Sequence, residues 1–209
     1  MINWLKPVAV TAALGLALSG CAGLITGGDA ELYDLNPVTG YSGELAQSPA
    51  RLLIEEPIAK RALDTDRMPV RPTAQEYQYL ADARFADRVP SLMQSLLVES
   101  FENANALKSV ARTALGLQGD YVIKAEIRAF EAGFYEDEDR PTVRTRMAVT
   151  LVRLPALSIV KSKVFEASAK ADGNETSQIV ATYDMAAQML IGEVVKWGLG
   201  VMAADFKAP

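Results

Sequence analysis

The chain of 209 residues carries a formal net charge of −5, has one cysteine and contains no histidine. Without histidine it can assemble neither a Ser-His-Asp nor a Cys-His site, nor the His-rich shell of catalytic zinc, so an enzyme here would depend on carboxylates, Lys, Ser or Tyr. The acidic balance lacks the basic footprint that nucleic-acid binding requires. No phosphate-cradling glycine pattern is present, and no cofactor or metal is expected.

Met1 to Lys6 carries one positive charge, and Val8 to Leu18 is a nearly unbroken apolar run. That run is shorter than the ~20 residues that span a bilayer. A charged start, a short apolar core and small residues at the exit describe an export signal. Leu18, Ser19, Gly20 and Cys21 resemble the lipobox of bacterial lipoproteins. The resemblance implies a signal peptide over residues 1–20, cleavage before Cys21, and acylation of its thiol and of the new amino terminus. Cys21 is then a membrane anchor in contact with lipid rather than a nucleophile, since two or more acyl chains give stable attachment where one gives only marginal binding. Ala22, standing where Asp would retain the protein at the inner membrane, points to the periplasmic face of the outer membrane. Removing Lys6 with the leader takes the 21 basic side chains to 20 against 26 acidic ones, a formal charge of −6.

Residues 21–31 read as a lipidated tether, which at ~3.3 Å per residue reaches roughly 30 Å. Residues 32–209 are of a length suited to a single domain. A short strand is expected at Leu32–Leu35, a loop to Pro49, and a buried strand at Arg51–Glu56 stopped by Pro57. A turn or short helix over 59–66 precedes two extended pieces, Arg67–Arg71 and Glu76–Ala81, that pair as a hairpin. A helix starts at Asp87–Pro90, with Pro in its first turn. Its apolar stripe is Leu92, Leu96, Leu97 and Phe101, and Asn103 and Asn105 end it.

Three strands follow with period-2 patterning. In Asp120–Ala129 the residues Ile123, Ala125, Ile127 and Ala129 alternate with Lys124, Glu126 and Arg128. In the second, Val143, Thr145, Met147, Val149 and Leu151 oppose Arg144 and Arg146. In the third, Phe165, Ala167, Ala169 and Ala171 oppose Glu166, Ser168, Lys170 and Asp172. Short loops make them an antiparallel meander. The acidic run Glu136–Asp139 lacks EF-hand spacing and reads as a solvated hairpin tip, and the sequon at Asn174 reads as the entry to the last helix. That helix, about Thr176 to Ala204, carries Ile179, Tyr183, Ala187, Leu190, Val194, Trp197 and Val201 at spacings of three and four, and Glu193 and Lys196 argue against a membrane span. Two helices and six or so strands predict an α+β fold, with both helices packed on one face of a mainly antiparallel sheet. An exposed edge, such as the Leu32–Leu35 strand, offers a place for pairing with another chain, including a second copy.

Candidate functional residues cluster in "LDTDRMPVR" and "YLADARFADRVP": Asp64, Asp66, Arg67, Arg84, Asp87 and Arg88. Carboxylates interleaved with Arg suit a structural ion-pair network or a partner-docking surface better than acid–base chemistry, because the Arg charges hold the carboxylates ionised.

The order of lipobox, "YDL", "LLIEEPIAKRALDTDRMPVR", "YLADARFADRVPSLMQSLLVESFE" and "DYVIKAEIRAFE" resembles the ABC-type transport auxiliary lipoproteins, the group that includes the PqiC lipoproteins. Met68 stands where the family often has Ile or Leu, and Phe85 where Trp is common; both keep a large apolar side chain. The resemblance implies a non-enzymatic accessory subunit of a system that moves lipids or other hydrophobic compounds across the envelope. Its implied partners are an MCE-domain protein bridging the periplasm and an ABC permease and ATPase complex. Two readings from other classes stand beside it: a general outer-membrane assembly or cell-wall lipoprotein, and a carboxylate-dependent hydrolase centred on Asp64 and Asp87.

Overall fold

The computed structural model describes residues 30–114, 116–134, 137 and 139–206. The lipobox with Cys21, the tether through Asp29, and Glu136 and Glu138 of the acidic run lie outside the described residues. In chain order the elements are β1 (Glu31–Tyr33), β2 (Arg51–Ile54), β3 (Ile58–Ala59), β4 (Arg67–Arg71), β5 (Gln78–Phe85), α1 (Val89–Asn103), β6 (Ser109–Arg112), β7 (Tyr121–Gly133), β8 (Thr142–Arg153), β9 (Ser158–Lys170) and α2 (Thr176–Phe206).

The sheet is organised around β7, whose alternating pattern suits a strand with one face buried. One edge of β7 pairs with β8 along its whole length, and β8 pairs in turn with β9. The other edge is shared in succession by β2, β3 and β4. Beyond them β6 extends the sheet from β2, and β5 and then β1 extend it from β4. Most paired residues belong to the antiparallel meander, as expected, but the five short pairings of β1–β5, β2–β6, β2–β7, β3–β7 and β4–β7 are parallel. The hairpin of β4 and β5 is antiparallel, with an irregularity between Arg67 and Pro69, where the missing proline N–H would break a regular ladder.

The single register predicted for the first meander strand fails at one place. Between Ile127 and Ala129 the pairing with β8 shifts by a residue, a β-bulge at Arg128. Ile123, Ala125 and Ile127 face the core, but the shift carries Ala129 to the other face and turns Phe130 and Ala132 inward. The strand therefore continues to Gly133 instead of ending at Ala129. β9 likewise begins at Ser158, well before the alternation at Phe165, and the two-residue β3 and four-residue β6 carry no period that the sequence could show.

The helices supply the other layer of the core. Leu92, Leu96, Leu97 and Phe101 of α1 and Ile179, Tyr183, Ala187, Leu190 and Val194 of α2 are buried in one cluster with the inward residues of the sheet. Met68 and Phe85 are completely buried in it. Phe85, Phe130 and Tyr183 form an aromatic triad, with ring centres 5.1 to 5.5 Å apart. The helices approach closely at Gly198, where a Cβ would stand 3.0 Å from the Phe101 ring. Polar groups buried on α1 hold irregular chain: Ser100 Oγ accepts from the Val38 N–H, and Gln94 donates to the Ile54 carbonyl. Among the described residues no helix is long and apolar enough to cross a membrane.

Candidate functional site

The charged residues singled out in the sequence come together around the start of α1. The turn at 60–66 is fixed there by backbone bonds, with the Phe85 N–H donating to the Asp66 carbonyl and the Val89 N–H to the Thr65 carbonyl. Arg88, the residue capping α1, forks between Asp64 and Glu56, and Arg84 pairs with Asp66 at 3.1 Å. Arg67 makes no ion pair in this group; its guanidinium stacks 4.1 Å from the centre of the Tyr79 ring. Asp87 accepts from the Ser91 hydroxyl at 2.5 Å and from the Arg88 N–H at 2.7 Å. The Ser91 bond, ahead of the Arg88 N–H, holds the Asp87 carboxyl below its ordinary range. The ion-paired side chains are 41–47% exposed, so water weakens their mutual attraction.

These contacts bear on the chemistry available. A general acid must hold a proton near neutral pH, which a carboxyl with a depressed pKa does not. Asp64 is committed to Arg88. A cleft of about 400 Å³ lies beside Asp87, lined also by Asp34, Leu35, Pro37, Leu92, Leu96 and Glu99. Among the described residues no group of three or more His, Cys, Asp or Glu side chains is placed to hold a metal.

A second polar assembly, on the sheet face away from the helices, escaped the sequence reading. Glu131, only 3% exposed, accepts from the Phe130 N–H at 2.8 Å and lies 3.5 Å from Arg71 and 3.4 Å from the Tyr77 hydroxyl. Lys60 and Arg71 both lie over the Tyr77 ring. Across the register, Glu131 stands opposite Arg144, and Glu166 bridges Arg144 and Arg146. The meander register holds the signal for the Glu166 pair, because two alternate arginines on β8 face an acid on β9. Glu131 was hidden because the bulge reverses the parity of β7.

The far edge of the sheet is different in character. Along β9 and the C-terminal half of α2 runs an open groove of about 560 Å³, lined by Val160, Lys161, Lys196, Trp197, Gly200 and Val201 among others. Trp197 and Val201, predicted as core, are only partly buried and form its apolar floor. The Trp197 ring stands edge-on to Phe165 at 5.4 Å, and its buried indole N–H has no hydrogen-bond partner.

Comparison with known proteins places this domain. An uncharacterised protein of Bradyrhizobium diazoefficiens is 31% identical over 177 residues, which are 83% of this chain and 47% of that protein. The chain thus spans about half the length of the curated relative it matches. A crystal structure of a protein from Xanthomonas campestris has the same fold, with a TM-score of 0.80 at 23% identity over 86% of this chain and 100% of that one. A structure of a hypothetical protein from Chlamydia trachomatis is also similar, with a TM-score of 0.52 at 12% identity over 75% of this chain and 99% of that one. The sequence profile of one family covers residues 33–195, from the end of β1 into α2. The chain belongs to the family of ABC-type transport auxiliary lipoprotein components.

Proposed function

We propose that the chain is a non-enzymatic accessory subunit of an MCE-type ABC system that moves lipids or other hydrophobic compounds across the cell envelope. Membership of a lipoprotein family implies a membrane-anchored position in the envelope. The finer placement is acylation at Cys21, cleavage of residues 1–20 and attachment to the periplasmic face of the outer membrane. Its partners in this reading are an MCE-domain periplasmic protein and, through it, the permease and ATPase. The observation that carries the reading is the family match over residues 33–195, which opens about a dozen residues after the lipobox cysteine. A tether of that length keeps the domain within about 30 Å of its membrane, where a bridging partner arrives.

Asp64, Asp66, Arg67, Arg84, Asp87 and Arg88 serve in this reading as a docking surface whose charges also tie the 60–66 turn to α1. The test is crosslinking in native membranes, purification of the full-length acylated protein, and mass spectrometry of what accompanies it. Recovery of an MCE-domain protein supports the reading, and Arg67→Glu with Arg84→Glu should then reduce that recovery. Recovery of assembly or cell-wall proteins alone would replace it with the structural-lipoprotein reading. Cys21→Ser should release the protein from the membrane fraction.

A further inference from the structure

The β9 edge is the longest open edge of the sheet. Among the described residues the thirteen-residue β9 pairs with β8 alone, through twelve residues and with a register shift that leaves Val160 out, and no other strand lies on its far side. An unpaired edge of that length presents a row of backbone donors and acceptors. The helix-side residues of β9 include Lys161 and Lys163, opposite Leu151 and Val149, and the other side exposes Ile159 at 70% and Val164 at 42%. Lys161 and Lys163 have no acidic partner among the described residues, and Lys163 rests over the Phe165 ring instead. Lys196 stands across the groove, only 3.8 Å from Glu193. Between these cations lies the apolar floor of Trp197 and Val201, and the lining also includes Asp205, which is paired with Arg153.

We propose that this edge and its groove accept an extended strand from a partner protein, with acidic side chains alternating with apolar ones. Added to β9, such a strand would complete the ladder with main-chain bonds, while alternate side chains find separate environments. Those on the helix side meet Lys161 and Lys163, with Lys196 across the groove, which call for carboxylates. Those on the other side meet Ile159 and Val164, which call for apolar groups. The chain carries more acid than base overall, so this concentration of lysine at one edge marks a local preference that the composition conceals.

A second copy of the chain fits this edge poorly. Two β9 strands side by side would bring together edges that each carry Lys161 and Lys163 without an acidic partner among the described residues, and like charges on neighbouring strands repel. The other outer strands, β1 and β6, offer three and four residues against thirteen, and β6 ends in Arg112. Lysines on an edge commonly prevent pairing between identical molecules. Here the same charges select an acidic strand, and protection alone leaves the apolar floor of the groove uncovered. The inference rests on the fold and is independent of the transporter reading.

The test uses the full-length acylated protein in detergent micelles and a labelled ten-residue peptide of alternating valine and glutamate. A peptide with lysine in place of glutamate serves as the control. The glutamate peptide should bind, weaken with salt, and slow amide exchange across Ser158–Lys170, whereas the lysine peptide should not bind. The pair Lys161→Glu and Lys163→Glu should weaken binding about tenfold or more without moving the melting temperature. Methylating the peptide nitrogens of one alternate set should abolish binding, and methylating the other set should leave it intact. Failure of the glutamate peptide to bind would overturn the proposal, as would indifference to which set is methylated. Concentration-dependent protection of β9 without peptide would assign the edge to a second copy. None of these outcomes depends on whether an MCE-domain protein is recovered.

Discussion

Replacing Tyr183 by Phe isolates one buried contact in the centre of the domain. The Tyr183 side chain is completely buried, packed edge-on against Phe85 and at 5.1 Å from Phe130, and its hydroxyl donates to the Pro69 carbonyl. Phe keeps the ring and both aromatic contacts while removing the donor, so a carbonyl in β4 loses a partner in apolar surroundings. That costs about 1–3 kcal/mol. In a domain of roughly 175 residues each kcal/mol moves the melting temperature about 2–4 °C, so a central value near 2 kcal/mol lowers it by about 4–8 °C. Tyr183→Ala adds the cavity left by the ring, and its total should exceed that of Phe by about 3 kcal/mol. Urea titration followed by far-UV circular dichroism reads both, with an unchanged m-value showing that only stability has moved. A Tyr183→Phe protein as stable as the parent would refute the assignment of a stabilising bond to the hydroxyl. Equal losses for Phe and Ala would refute the role given to the ring.

Acid stability is expected to depend on Asp205 and Asp120. The Arg153 guanidinium, with Tyr121 adding a second bond, holds the Asp205 carboxyl below its ordinary range, and Arg51 does the same for Asp120. A carboxyl depressed in the folded state contributes stability above its unfolded pKa near 3.9, and that contribution is lost as pH falls through the folded value. Asp205→Asn should therefore flatten the fall of the urea midpoint below about pH 4, and an unchanged slope would count against the coupling. At the alkaline end, burial pushes Tyr41 and Tyr121 up to about 12, and Tyr183 well above its ordinary value. Unfolded tyrosines ionise near 10, so stability should fall as pH rises from there, and absorbance at 295 nm at pH 11 should show fewer ionised tyrosines in the folded chain than in urea. Asp64→Ala and Arg84→Ala should each cost less than about 1 kcal/mol in urea titrations, because their ion pairs are exposed. A loss above about 2 kcal/mol would show that the 60–66 turn depends on them more than their exposure implies.

Long periodic segments disclosed themselves in the sequence because burial on one face leaves a repeating mark. β8 shows Val143 to Leu151 inward and Arg144 and Arg146 outward as its alternation predicts, and α1 and α2 follow their apolar stripes. Elements of two to four residues, such as β3 and β6, are too short to carry a period and exist because β7 and β2 offer them an edge. Trp197 and Val201 continue the stripe of α2, yet the sheet ends at β9 before covering them, and a helical period cannot report where its partner layer stops. The pairings of Asp64 with Arg88 and Asp66 with Arg84 followed from charges that the hairpin and the turn bring together. The departure of Arg67 to the Tyr79 ring did not, because it depends on the irregularity beside Pro69. Glu131 illustrates the cost of assuming one parity along a strand.

The bulge at Arg128 also governs which changes of length the chain can absorb. Losing Arg128 itself would close the ladder into a single register with Ile127, Phe130 and Ala132 still facing the helices, whereas adding or losing a residue in the regular stretch before it would reverse side chains across the sheet. The loops on either side of the meander are free of that constraint, since an added residue there shifts no side chain across the sheet. Within this family, insertions and deletions should therefore accumulate in the β7–β8 and β8–β9 connections, and inside β7 the loss of the bulge residue should be the one change of length that is tolerated. The surplus residue behaves as a spare link, which the ladder accommodates and does not need in order to keep one inward face along the strand.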